Sequence, residues 1–151
     1  MCLVRMTKIT VLYGTETGNS ELLAMDICKL GEQSGLECVN FGMDEVDNSD
    51  FSEIENLLIV CSTWGDGEQP DNAIDLWDYV EELGDDELQN MKFSVLALGD
   101  TAFDLFCEAG KEWDRILEEK GATRIYERVD CDVDYEDDAE EWIENVISTF
   151  S

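Results

Sequence analysis

Residues 13–20, Tyr13-Gly14-Thr15-Glu16-Thr17-Gly18-Asn19-Ser20, follow an apolar run (Ile9, Val11, Leu12) and open a segment of helical periodicity. Hydroxyls, an amide and two glycines gather where a strand passes into a helix, and no Lys or Arg stands among them. The first turn of a helix carries backbone N–H groups without intrahelical partners and a partial positive charge, so it receives an anion without help from a cation. Thr15, Thr17, Asn19 and Ser20 add side-chain donors, while Gly14 and Gly18 allow close approach or a positive φ. A triphosphate-binding loop needs G-x-x-x-x-G-K-[ST], and position 19 is Asn; the dinucleotide pattern G-x-G-x-x-G is also absent. A terminal monophosphate fits best. Helix capping by Thr17 or Asn19 accounts for the same residues equally well and stays open at this point.

Outward from that loop, apolar runs alternate with helical patterns. Strands are predicted at Lys8 to Tyr13, Glu37 to Phe41, Asn56 to Ser62, Lys92 to Leu98 and Thr123 to Arg128. The runs Leu57 to Cys61 and Phe93 to Leu98 are almost continuously apolar, as in strands covered on both faces. Helical spacing links Leu23, Ile27 and Leu30; Ala73, Leu76, Trp77 and Val80; Ala109, Trp113, Ile116 and Leu117; and Ala139, Trp142, Ile143, Val146, Ile147 and Phe150. The acidic stretch from Gly42 to Glu55 holds no more than a turn or a short helix. The alternation predicts an α/β fold: a doubly wound parallel sheet with helices on both faces, built as one domain over residues 1–151.

Composition removes whole classes of function. The chain has no histidine, which excludes His-based general base catalysis, Ser-His and Cys-His nucleophile pairs and His-containing zinc sites. Six cysteines are scattered without a C-x-x-C pair, as small core residues in a reducing compartment would be, and no metal site is expected. Nine basic residues against 38 acidic ones give a net charge of -29, which argues against nucleic acid and anionic membranes as partners. No apolar run reaches the roughly 20 residues of a membrane helix, and Met1 to Thr7 is too short for a signal peptide. A soluble, cytoplasmic, monomeric protein is expected. Its acidic coat serves either solubility or the steering of basic partners, and composition does not separate the two.

In an open α/β sheet, ligands bind beyond the carboxyl ends of the strands. Three loops should meet there: Gly14 to Ser20, Ser62 to Asn72 and Gly99 to Phe106. Trp64 and Phe103 each lie beside Gly and acidic or hydroxyl residues, so two aromatics could hold a flat ring between their faces. The plainer reading packs both rings beneath their own loops, although polar, glycine-containing segments are poor places for core packing.

Together, Thr15-Glu16-Thr17-Gly18-Asn19-Ser20, Cys61-Ser62-Thr63-Trp64-Gly65-Asp66-Gly67 and Gly99-Asp100-Thr101-Ala102-Phe103 resemble the FMN-binding loops of flavodoxins, in order across essentially the whole chain. Flavodoxin is itself the type example of a doubly wound sheet with FMN at the switch between its first and third strands. The resemblance implies a five-stranded sheet in the order 2-1-3-4-5, and, without room for an inserted segment, the short-chain type. Residues 67–72 and 129–135 are also similar to the flavodoxin-like domains of diflavin reductases. On this resemblance Thr15, Glu16, Thr17, Gly18, Asn19 and Ser20 surround the FMN phosphate, with Glu16 and Glu21 giving backbone rather than charge. Ser62, Thr63, Trp64, Gly65 and Asp66 line the inner side of the isoalloxazine. Leu98, Gly99, Asp100 and Phe103 line the outer side, with Cys107 nearby. Many flavodoxins have Tyr where Phe103 stands; Phe keeps the stacking surface and loses the hydroxyl.

The implied function is single-electron transfer at low potential between a reductase and an acceptor protein, with no substrate turnover of its own. Implied partners are basic redox proteins: a flavin reductase, and a haem or iron-sulfur acceptor. Carboxylates at Asp66, Glu68, Asp71 and Asp100 would oppose a further negative charge on the flavin; one at about 10 Å in a water-like medium costs roughly 0.4 kcal/mol. Two alternatives share the architecture. A flavin enzyme or an activator of a radical enzyme keeps FMN and adds chemistry. A receiver domain would need an acidic pair after the first strand, an Asp after the third and a Lys after the fifth, where this chain has Tyr13-Gly14-Thr15, Ser62-Thr63-Trp64 and Val129-Asp130-Cys131.

Overall fold

Alternation along each strand sets the layering. In the computed structural model, which describes residues 7–14, 18–63, 69–99 and 107–150, strand β1 (Lys8–Gly14) sends Ile9, Val11 and Tyr13 into one core and Leu12 into a second. Strand β3 (Asn56–Ser62) divides Leu58 and Val60 from Leu57, Ile59 and Cys61 in the same way. Strand β4 (Lys92–Leu98) divides Leu96 and Leu98 from Phe93 and Val95. Every second side chain of a strand points to the same face, so a strand buried on both faces must be apolar throughout.

Helices supply the outer layers. Helix α1 (Asn19–Gln33) and helix α5 (Glu136–Phe150) cover the first face through Leu23, Ala24 and Ile27 and through Trp142, Ile143 and Val146. Helix α3 (Ile74–Glu81), entered from a short turn at Asp71–Ala73, and helix α4 (Glu108–Glu119) cover the second through Leu76, Val80, Trp113 and Leu117. Gly110 sets how closely α4 lies: a β-carbon there would fall 2.3 Å from the Cβ of Ala97 on β4. The acidic stretch after strand β2 (Glu37–Gly42) holds a short helix α2 (Asn48–Phe51), capped by Asp47, whose carboxylate accepts from the Ser49 N–H at 3.0 Å. Among the described residues, no helix is long and apolar enough to cross a membrane.

All pairings are parallel, in the order β2-β1-β3-β4, and the last position beside β4 is shared by β5 (Thr123–Arg124) and β6 (Val129–Cys131). The expected order 2-1-3-4-5 therefore holds, with its fifth position split rather than running unbroken from Thr123 to Arg128. The break has a local cause. Ser94, fully buried in β4, donates its hydroxyl to the Tyr126 carbonyl at 3.0 Å and accepts from the Trp142 indole at 3.0 Å. The Ile125 N–H still donates to the Phe93 carbonyl at 2.9 Å, and one residue later the contact with β4 passes to the Ser94 side chain. On the outer side the Asp114 carboxylate accepts from Arg124 at 2.8 Å and Arg128 at 2.9 Å, gathering both ends of the interruption onto α4.

Candidate functional site

Strand register brings the three loops to one level. Gly14 at the end of β1 pairs with Cys61, and Ser62 at the end of β3 pairs with Leu98 at the end of β4. The chain leaves β1 toward β2 on one side and later returns to β3 on the other, so these carboxyl ends flank the point where the strand order reverses. Cross-links hold the ends together. The Ser62 hydroxyl donates to the Gly14 carbonyl at 3.2 Å, the Thr63 N–H to the Leu98 carbonyl at 3.0 Å and the Gly99 N–H to the Cys131 carbonyl at 2.9 Å.

The start of α1 is built for an anion. Gly18 is the N-cap at φ 92°, in the left-handed region that glycine enters at little cost, and as glycine it brings no side-chain cap of its own. Asn19 is thus not the cap and lies exposed in the first turn; Thr17 lies outside the described residues. Ser20 is fully buried, and its hydroxyl has no hydrogen-bond partner among the described residues. A buried polar group left unpaired costs about 1–3 kcal/mol, so such an atom wants a partner that the protein itself does not supply. A partly positive first turn with a buried hydroxyl that has no partner among the described residues fits a phosphate ester, the anionic end of FMN.

The second loop is latched rather than loose at its far end. The Gln69 amide donates to the Ala109 carbonyl at 3.1 Å and accepts from the Trp113 indole at 2.9 Å, tying the loop to α4. Asn72 donates to the Tyr13 carbonyl at 3.2 Å, and the Thr63 hydroxyl accepts from the Ala109 N–H at 3.2 Å. The third loop closes tightly: a β-carbon on Gly99 would come 2.8 Å from the Cys107 backbone nitrogen. Cys107 itself takes φ 56° and directs its thiol to the Ala97 and Cys131 carbonyls at 3.6 and 3.4 Å. Burial pushes that thiol up to about 12, so it stays protonated and acts as packing rather than as a nucleophile.

Beneath the first loop, burial and then the Glu45 carboxylate, 3.2 Å away, push the Tyr13 phenol up to about 12. Glu45 also accepts the Gly42 N–H at 2.8 Å, which pins the turn after β2 beneath the crevice. Among the described residues no group of His, Cys, Asp or Glu could hold a metal ion. An open groove of about 820 Å³ lies against Thr10, Val39 and Phe41, but Asp47, Asp50 and Glu53 line it, so a phosphate would meet like charge there.

Of the residues read from the sequence, Gly18, Asn19, Ser20, Ser62, Thr63, Leu98, Gly99 and Cys107 are thus brought to the carboxyl ends of neighbouring strands. Thr15, Glu16, Thr17, Trp64, Gly65, Asp66, Asp100 and Phe103 lie outside the described residues. Gln69, Asn72 and Tyr13 carry structural duties that the sequence reading missed. An amide standing between the run of glycines and acids at 65–68 and the loop's proline is the signal that could have found Gln69.

Residues 11–144 match the pattern of the flavodoxin family. The sulfite reductase [NADPH] flavoprotein alpha-component of Bacillus subtilis is 45% identical over 140 residues, covering 93% of this chain and 23% of that protein. The protein of the same description from Vibrio cholerae is 36% identical over 141 residues, with the same coverage, 93% and 23%. The chain therefore spans about a quarter of the length of these relatives. Among solved structures, a Streptococcus pneumoniae flavodoxin superposes with a TM-score of 0.84 at 28% identity, covering 95% of this chain and 97% of that one. A short-chain flavodoxin associated with a bacterial microcompartment superposes at 0.83 with 25% identity, over 97% of this chain and all of that one.

Proposed function

Because the chain belongs to the flavodoxin family, whose cofactor is FMN, we propose that it is a domain that carries single electrons between a reductase and an acceptor protein. FMN supplies the chemistry when bound, since its ring accepts and releases electrons one at a time. The chain's own residues bind, orient and shield it. The observation that carries this reading is the buried Ser20 hydroxyl, without a hydrogen-bond partner among the described residues, in the first turn of α1 beside the carboxyl ends of β1 and β3. Gly18, Asn19 and Ser20, with Thr15, Glu16 and Thr17, hold the phosphate. Ser62, Thr63, Trp64, Gly65 and Asp66 take one side of the ring; Leu98, Gly99, Asp100 and Phe103 take the other, and Cys107 braces the outer loop.

The net charge of -29 favours basic protein partners, a flavin reductase as donor and a haem or iron-sulfur protein as acceptor, and the relatives' description as the flavoprotein component of an NADPH sulfite reductase supports a redox partner in general. The test is anaerobic reductive titration of the purified chain loaded with FMN, followed by reduction through a flavin reductase at rising salt. Uptake of FMN, reduction in two one-electron stages and a rate that falls with ionic strength are expected. A chain that stays colourless in excess FMN ends the proposal, and a salt-independent rate assigns the acidic coat to solubility.

A further inference from the structure

Cys28 on α1 and Cys38 on β2 lie ten residues apart in a chain without any C-x-x-C motif, yet their sulfurs stand 2.8 Å from one another. A disulfide bond is about 2.05 Å long, so closure asks for a movement of less than about 1 Å. The contact is prepared by Gly31, one turn further along α1. A β-carbon at that position would sit 3.4 Å from the Cys38 Cβ, an ordinary contact, so this turn of the helix lies directly over Cys38. The other described cysteines differ. Cys61, Cys107 and Cys131 have no exposed surface, and the first two direct their thiols to oxygen atoms. Cys28 and Cys38 each keep 7% exposure, and β2 is the edge strand of the sheet.

We propose that Cys28 and Cys38 are a peroxide-responsive dithiol that closes reversibly to a disulfide tying α1 to β2. The oxidant is hydrogen peroxide, which is small and uncharged; bulky or anionic disulfides would have to reach a nearly buried pair on a chain of net charge -29. The roles of the sulfurs follow from their neighbours. Either sulfur can donate in their 2.8 Å contact, but only Cys28 has a second donor, the Asn40 amide at 3.5 Å, so Cys28 is the sulfur placed to accept from both. These hydrogen bonds favour the Cys28 thiolate and hold its pKa below the ordinary thiol value, while the Cys38 thiol is held above it because its proton is engaged by Cys28. The Cys28 sulfur attacks one peroxide oxygen, the O–O bond breaks and hydroxide leaves, taking a proton to become water. The Cys38 sulfur then displaces the hydroxyl from the Cys28 sulfenic acid, releasing a second water as the S–S bond forms. Two thiols are oxidised by two electrons and one peroxide is reduced to two waters. A dithiol reductant reverses the change by exchange.

The test treats the full purified chain with hydrogen peroxide and maps it after cleavage at glutamates, which places Cys28 in residues 22–32 and Cys38 in residues 38–45. The expected product is these two peptides joined, about 2 Da lighter than their sum through loss of two hydrogens, and separated again by dithiothreitol. Cys38→Ser should arrest Cys28 as a sulfenic acid that a dimedone-type reagent labels, and Cys28→Ser should give neither adduct nor link. A linkage between other cysteines, two thiols that survive peroxide unchanged, or a label on Cys38 would overturn the proposal. The oxidised chain should also melt at a higher temperature than the reduced one, because the link restricts the unfolded chain; a lower melting temperature means that the native geometry does not accept the bond.

Discussion

Replacing Ser20 with alanine should move two measurements in opposite directions. In the apoprotein the Ser20 hydroxyl is buried at 0% exposure with no partner among the described residues, and its removal relieves a desolvation penalty of about 1–3 kcal/mol. Alanine also has the better helix propensity, by roughly 0.5 kcal/mol. For a chain of this length each kcal/mol moves the melting temperature by roughly 2–4 °C, so the apoprotein should gain several degrees. With FMN present the same change deletes a hydrogen bond to a charged phosphate, worth about 1.5–3 kcal/mol. At 1.4 kcal/mol per tenfold, the dissociation constant should rise about 10- to 150-fold. Thermal melting followed by circular dichroism reads the first effect, and titration by quenching of flavin fluorescence reads the second. Riboflavin, which lacks the phosphate, is the control, and its affinity should not change. An apoprotein that melts lower while FMN affinity holds would show that the hydroxyl serves the fold, and the reasoning about the first turn of α1 would fail.

Gly110→Ala puts a β-carbon 2.3 Å from the Ala97 Cβ, so α4 must lift from β4 at a cost of about 1–3 kcal/mol, visible as a lower urea midpoint. Asp114→Ala strips Arg124 and Arg128 of their shared carboxylate; complete burial of such a pair would cost about 3–5 kcal/mol. Because the arginines are 31% and 27% exposed, a smaller loss of about 2–3 kcal/mol is expected in the same assay. The Tyr13 phenol is pushed up to about 12 in the fold, against about 10 for an unfolded tyrosine. The folded state therefore holds the proton that the unfolded state releases. The stability from this group is complete below pH about 10 and lost as pH rises toward 12. Urea midpoints taken across that range should fall, and fall less in Glu45→Gln, which removes the charge opposing the phenolate.

The layering was legible because strands covered on both faces must be apolar at every position, as Leu57 to Cys61 and Phe93 to Leu98 are. The split at the sheet's last position was not. Thr123 to Arg128 reads as one strand, but the Ser94 hydroxyl, distant in sequence and itself accepting from Trp142, meets the Tyr126 carbonyl where the ladder is interrupted. The Cys28–Cys38 contact was hidden in the same way, since ten residues separate two cysteines that a helix and a strand then superimpose.

What the chain's own order of residues determined was the alternation of strands and helices, the doubly wound class and the place where β1 gives way to the glycine-led start of α1. Those follow from spacing and side-chain chemistry within short windows, where neighbours along the chain are also neighbours in space. Only the tertiary structure decided that Ser20, not Asn19, is the buried group in the first turn, that Gln69 bolts its loop to Trp113, and that the ends of β1, β3 and β4 stand level. Register, burial and long-range hydrogen bonds arise from which surfaces meet after folding, and sequence separation does not encode that meeting locally.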